Sequence, residues 1–276
     1  MVRQDGQPIG VIDSGLVGLT VVRELRRLLP LERIAYFGDN ANCPYGNRPR
    51  EEILELSMAM LDFLGKKGIK IAAIACNTIS ALAGELRERY NFPIVSIIEA
   101  ACEYTAGLGL SQAGIFATNF TISCGLYENL LRRQRPEIKA YGIPSPTLAA
   151  LVDEGQFDSP AAREEARRLI AMLREKHPEA RHAILGCTHY PIVIDLFEAE
   201  APDIAFINPA EAQAKAVQSL LKKNGLLEGE PPEGGGQPYG TGKAPILEIY
   251  TSGETRQYDA ALKKLNISRP LSVFVI

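Results

Sequence analysis

The chain has 276 residues, 46% of them hydrophobic, enough to bury a substantial core in one domain or two. A formal net charge of −3, with Lys and Arg scattered along the chain, leaves no electrostatic footprint for nucleic acid. No apolar stretch nears the ~20 residues that span a bilayer, the start Met1-Val2-Arg3-Gln4-Asp5 lacks a secretory apolar run, and five cysteines without a CxxC pair argue against a disulfide framework or a standard zinc cage. The expected setting is a reducing cytoplasm, with no membrane and no nucleic acid as partner.

Ile9–Ile12 reads as a first strand ending at Asp13-Ser14-Gly15, followed by a helix from about Thr20 to Leu29. Ile34–Phe37 is a second strand, ending at Gly38-Asp39. Turn chemistry dominates Asn40–Arg48, and Pro49 sits where proline opens a helix that keeps its apolar spacing to Lys67. A third strand, Lys70–Ala75, leads to a helix over Ser80–Tyr90, and Ile94–Ile98 is a fourth strand. The alternation then repeats: strand Gly114–Ala117, helix Ser123–Arg133, strand Ala140–Ile143, helix Pro160–Lys176, strand Ala183–Leu185, strand Ala205–Ile207 and helix Ala210–Asn224. Glu228–Lys243, rich in Gly, Pro and Glu, reads as a surface excursion; strand Ile246–Tyr250 and helix Glu254–Leu265 close the chain. Strands alternating with helices over this length predict an α/β fold of mostly parallel sheets flanked by helices.

Two cysteines occupy matching settings. Cys76 ends an apolar run in Ile74-Ala75-Cys76-Asn77-Thr78, and Cys187 does so in Ile184-Leu185-Gly186-Cys187-Thr188-His189-Tyr190-Pro191. Each thiol is expected at a strand's carboxyl end and a helix's amino end, where free N–H groups and the helix dipole favour a thiolate. Two activatable thiols, one in each half, suit two bases facing one substrate and moving a proton across a stereocentre. The plain alternative is two buried cysteines packing as small hydrophobes. Asp13, Asp39, Thr118 and both cysteines fall at strand carboxyl ends, where ligands bind in such sheets.

Taken together, Asp13-Ser14-Gly15 with Gly18-Leu19-Thr20, Tyr36-Phe37-Gly38-Asp39, Pro44-Tyr45-Gly46, Ala75-Cys76-Asn77-Thr78, Thr118 with Thr121, and Gly186-Cys187-Thr188-His189-Tyr190-Pro191 resemble glutamate racemases of the aspartate/glutamate racemase superfamily. The resemblance runs from about residue 9 to 260. It implies a cofactor-independent, metal-free enzyme in which two pseudo-symmetric α/β domains enclose glutamate in the cleft between them. The implied division is residues 1–99 with 210–276, carrying Asp13 and Cys76, against residues 100–209, carrying Thr118, Cys187 and His189. A homodimer and a role in supplying D-glutamate for peptidoglycan are further implications. By the same resemblance, Cys187 deprotonates L-glutamate and Cys76 deprotonates D-glutamate. The chain departs from the family pattern at Val17, Asn40, Asn42, Ala117 and Asn119-Phe120. Val17 stands where glycine is usual, and a β-branched residue resists a positive φ. Phe120 bears on the shape of the pocket.

An amino acid's α-proton is very weakly acidic, so its removal needs a local base on one face and a proton donor on the other. His189 beside Cys187, and Asp13 beside Cys76, are the expected supporting groups. Their plain alternatives are a structural histidine and a helix-capping aspartate. Asp153, or its neighbour Glu154, stands where the family has a supporting acid; an exposed acidic turn is the alternative. Ser14, Asn77, Thr78, Thr118, Thr121 and Thr188 offer side chains to the substrate's charged groups, Asp13 a carboxylate to its ammonium, and the Pro44-Tyr45-Gly46 loop backbone donors. Cys43, Cys102 and Cys124 read as core or loop residues. A zinc hydrolase built on Cys76, Cys187 and His189 lacks a completing carboxylate cluster, and a one-thiol hydrolase or decarboxylase leaves the second cysteine unexplained. The closer rivals are a racemase of aspartate or another amino acid, and a non-catalytic descendant that binds a protein partner.

Overall fold

The computed structural model describes residues 6–229, 246–267 and 271–276. In chain order, β1 (Ile9–Asp13), α1 (Leu19–Leu28), β2 (Ile34–Gly38), α2 (Arg50–Lys66), β3 (Ile71–Ile74), α3 (Asn77–Ser80), α4 (Ala83–Arg89) and β4 (Ile94–Ser96) come first. α5 (Ile97–Gly107) then leads to β5 (Gln112–Ala117), α6 (Asn119–Ser123), α7 (Leu126–Gln134), β6 (Lys139–Pro144), α8 (Leu148–Asp153), α9 (Pro160–Lys176), β7 (His182–Leu185), α10 (Ile194–Glu200) and β8 (Ala205–Ile207). α11 (Pro209–Lys223), β9 (Leu247–Thr251), α12 (Arg256–Lys264) and β10 (Leu271–Val275) complete the fold.

Two parallel sheets result. The larger runs β10-β9-β2-β1-β3-β4 and the smaller β6-β5-β7-β8. Central strands covered on both faces need unbroken apolar runs rather than alternation, and Ile71–Ile74 is buried throughout. In the larger sheet the chain steps from β1 to β2 on one side and to β3 on the other; in the smaller it does the same from β5 to β6 and β7. These reversals, β1/β3 and β5/β7, leave crevices at the strands' carboxyl ends, where ligands bind in such sheets. α5 packs against both α7 and α11, so one apolar core runs continuously beneath the two sheets.

Several expectations change in detail. The strand expected to reach Ile98 stops at Ser96, whose side chain accepts from the Glu99 N–H and starts α5, a helix not anticipated. The helix expected over Ser80–Tyr90 is two, α3 and α4, and the one over Ser123–Arg133 is α6 and α7. α8 and β10 were not anticipated either. Cys187 leads into a short 3-10 turn at Tyr190–Val193 before α10, rather than directly into an α-helix. Most of the excursion read at Glu228–Lys243 lies outside the described residues. Val17 raises no backbone conflict: among described residues only Asn266 is a non-glycine with positive φ, and Val17 lies in the core.

Candidate active site

A cavity of about 560 Å³ opens where the carboxyl ends of the two sheets meet. Cys76 and Cys187 both line it, together with Ser14, Pro44, Tyr45, Gly46, Asn77, Thr78, Thr118, Thr121, Asp153, Thr188 and His189. Asp13 does not: it is fully buried behind this wall.

The two thiols sit in different company. Cys187 Sγ lies 3.3 Å from His189 Nδ1, and His189 Nε2 lies 2.9 Å from Asp153 Oδ1. Asp153 ends α8, which reaches across to the loop after β7, whereas Glu154 accepts from Gln156 and is engaged elsewhere. Burial opposes charge on His189, but the Cys187 sulfur and the Asp153 carboxylate outweigh it and hold the ring's proton well above its ordinary range. An imidazole so placed can take or return the Cys187 proton.

Cys76 Sγ lies 3.4 Å from Ser14 Oγ. Burial, reinforced by the nearby Asp13 carboxylate, pushes this thiol up to about 11. The Ser14 hydroxyl and the backbone N–H groups of Ile79 and Ser14 pull the other way without prevailing. The thiolate expected from a helix amino end is therefore corrected: α3 has four residues, and its field loses to desolvation. Raised this far, Cys76 is a thiol at neutral pH. Burial also pushes Asp13 up to about 6, against the Gly15 N–H that its Oδ1 accepts at 2.9 Å and the pull of His189. Its Oδ2 is buried without a partner. Gly18 lets α1 start this close: a Cβ there would stand 2.6 Å from the Asp13 Cβ.

The remaining polar residues belong to the same cavity and the loops around it. Asn77 offers a buried Nδ2 with no partner. Thr118 caps α6 by accepting from the Thr121 N–H and also donates toward Thr121 Oγ1 at 3.1 Å, so capping and cavity lining coincide. Phe120, between these two threonines, narrows the cavity wall near Gly46. The Tyr45 hydroxyl turns away to Asp39 Oδ2 at 2.6 Å, leaving the backbone of this loop to face the cavity. Asn40 accepts from Tyr258 at 2.6 Å and from Thr251 at 3.1 Å, tying the loop to α12 and β9. Ser145 and Cys43 line the cavity although sequence reasoning assigned neither to it. The sequence setting of Cys43 suggests a core or loop residue; its position one residue before Pro44 is the signal that brings it to the cavity. Burial pushes its thiol up to about 12. Among the described residues, no three of His, Cys, Asp and Glu are arranged to hold a metal ion.

This geometry, two parallel sheets with a thiol at each switch point, is that of a racemase fold. The sequence pattern of the Asp/Glu/hydantoin racemase family matches residues 9–217, and the chain belongs to that family. Within it, a glutamate racemase from Oceanobacillus iheyensis is 33% identical over 252 residues, covering 89% of this chain and 86% of that protein. The structure of a glutamate racemase isoform from Bacillus anthracis superposes with a TM-score of 0.86 at 28% identity, covering 98% of this chain and 97% of that one. A Francisella tularensis glutamate racemase in complex with D-glutamate superposes with a TM-score of 0.84 at 29% identity, covering 99% and 98%. The chain thus falls among the glutamate racemases, which are isomerases.

Proposed function

We propose that this chain interconverts L- and D-glutamate with Cys76 and Cys187 as opposed bases, needing neither organic cofactor nor metal. The observation that carries this reading is the pair of thiols in one cavity, each at a sheet's switch point and each with its own polar support. Their unequal surroundings suit L-glutamate as the first substrate. Cys187, whose proton His189 accepts, removes the α-proton, and the protonated Cys76 delivers one to the opposite face. The return reaction exchanges the roles. Thr188, Thr118, Thr121, Thr78, Asn77 and the Pro44-Tyr45-Gly46 backbone hold the carboxylates, Ser14 supports Cys76, and Asp13 supplies negative potential for the ammonium from behind the wall. The two working halves in this reading are residues 1–99 with 210–276 and residues 100–209, meeting at the cavity.

In a bacterium the product, D-glutamate, would serve peptidoglycan synthesis in the cytoplasm; among described residues no helix is long and apolar enough to cross a membrane. The active unit in this reading is a homodimer, testable by light scattering. The deciding experiment is a racemisation screen by circular dichroism over L-glutamate, L-aspartate and neutral amino acids, run after dialysis against chelator. Glutamate is expected to turn over fastest and to survive the dialysis. Preference for aspartate, or activity restored only by added metal, would overturn the proposal.

A further inference from the structure

Tyr127, on α7, is fully buried, and its hydroxyl lies 2.8 Å from Asn77 Oδ1. Its ring meets the other thiol loop as well. A Cβ added to Gly186 would stand 3.2 Å from Tyr127 Cε2, so the glycine before Cys187 makes room for this ring. One side chain therefore touches the residue after Cys76 and the residue before Cys187.

The hydrogen bond has a direction. A buried phenol proton needs an acceptor, and Asn77 Oδ1 is the one the structure gives it. With Oδ1 so used, Nδ2 must turn the other way, where it is buried, unpartnered and part of the cavity-lining residue. Flipping the amide would strand the phenol proton and present an acceptor to the cavity instead. Burial, with lesser contributions from Cys102 and Cys187, raises Tyr127 well above the ordinary phenol range, so the donor stays protonated. We infer that Tyr127 is a positioning residue: it locks the Asn77 amide with its N–H pair toward the cavity, making that site a fixed donor for a substrate carboxylate and closed to an ammonium.

This rests on the reading above, in which Asn77 holds a carboxylate. The test is a double-mutant cycle on the full chain, with Tyr127→Phe, Asn77→Ala and the pair. D-glutamate affinity is measured by calorimetry, and KM and kcat in both directions. Tyr127→Phe keeps the ring against Gly186 and removes only the hydroxyl. It should weaken D-glutamate binding and raise KM about ten-fold, the scale of one hydrogen bond to a charged group, with kcat little changed. In the Asn77→Ala background the same change should do nothing further, because Tyr127 acts through Asn77. Additive effects, or a loss of thermal stability with unchanged affinity, would overturn the inference and leave the site reading standing. Unchanged affinity in Asn77→Ala would overturn both.

Discussion

Asp153→Asn keeps the size and an acceptor oxygen of the side chain that holds His189, and removes its charge. The contact is 2.9 Å between Nε2 and Oδ1, with the imidazole 13% and the carboxylate 40% exposed. A charge pair near 4 Å is worth ~4 kcal/mol at an effective dielectric near 20 and ~1 kcal/mol in water. Asp153's exposure moves this pair well toward the screened limit, to about 1.5 kcal/mol. The chain has only three histidines, His177, His182 and His189, so imidazole resonances of the two proteins can be followed individually by NMR. His189 should titrate lower in the variant, because the Asp153 charge is one of the groups that raise it. Because its folded value lies above the unfolded one, the pair's stabilisation is fully present below about pH 6.5 and is lost as pH rises through the raised value. The variant's deficit in Tm should therefore be largest on the acid side. Since the two enantiomers have equal free energy, kcat/KM must fall by the same factor in both directions. An unchanged His189 titration would refute the pairing, and a shifted titration with unchanged turnover would refute a catalytic part for it.

Other outcomes follow from the same geometry. In D₂O, product should carry deuterium at Cα while remaining substrate is still protiated at early times, and Cys76→Ala and Cys187→Ala should each abolish net racemisation; a variant that still racemises would sink the two-thiol assignment. Cys43→Ala should retain activity in both directions despite its place in the cavity wall, which a standard assay checks. Asp13, raised to about 6, binds more protons folded than unfolded, so its ionisation costs stability as pH rises from about 4 to 6. Asp13→Asn should accordingly gain stability relative to the native chain by about 3 kcal/mol between those limits in urea titrations, and a parallel pH dependence would contradict this. Gly18→Ala should lose about 1–3 kcal/mol, because its Cβ meets Asp13 and Tyr36 inside van der Waals distance; an unchanged Tm would show that α1 can shift.

Strands covered on both faces were legible because burial on two sides leaves a continuous apolar string, as at Ile71–Ile74. α9 was legible to the residue: Ser159 caps it, Pro160 opens it and its apolar period is unbroken. α5 was hidden because Ile97 and Ile98 extend the β-like run of Ile94–Ser96, although Ser96-Ile97-Ile98-Glu99 carries the spacing of a capping box. Within the candidate site, residues on the strand ends were legible because polar side chains interrupt apolar strings there. The choice of Asp153 over Glu154 was not, because it depends on the angle at which six-residue α8 approaches His189, 36 positions away. Nor was the burial of Cys76, which reverses the sign expected from its helix end.

The larger sheet is assembled from both ends of the chain: β1 to β4 come first, and β9 and β10 only after the smaller sheet is complete. During synthesis, the outer edge of β2 has no neighbour until β9 leaves the ribosome, while β5 to β8 already have all their partners. The nascent chain thus carries an open, apolar strand edge through most of translation, the kind of edge that seeds aggregation. A stop anywhere from residue 190 to residue 246 strands that edge permanently, so such truncated products should be insoluble or degraded even though every residue on the cavity wall has been made.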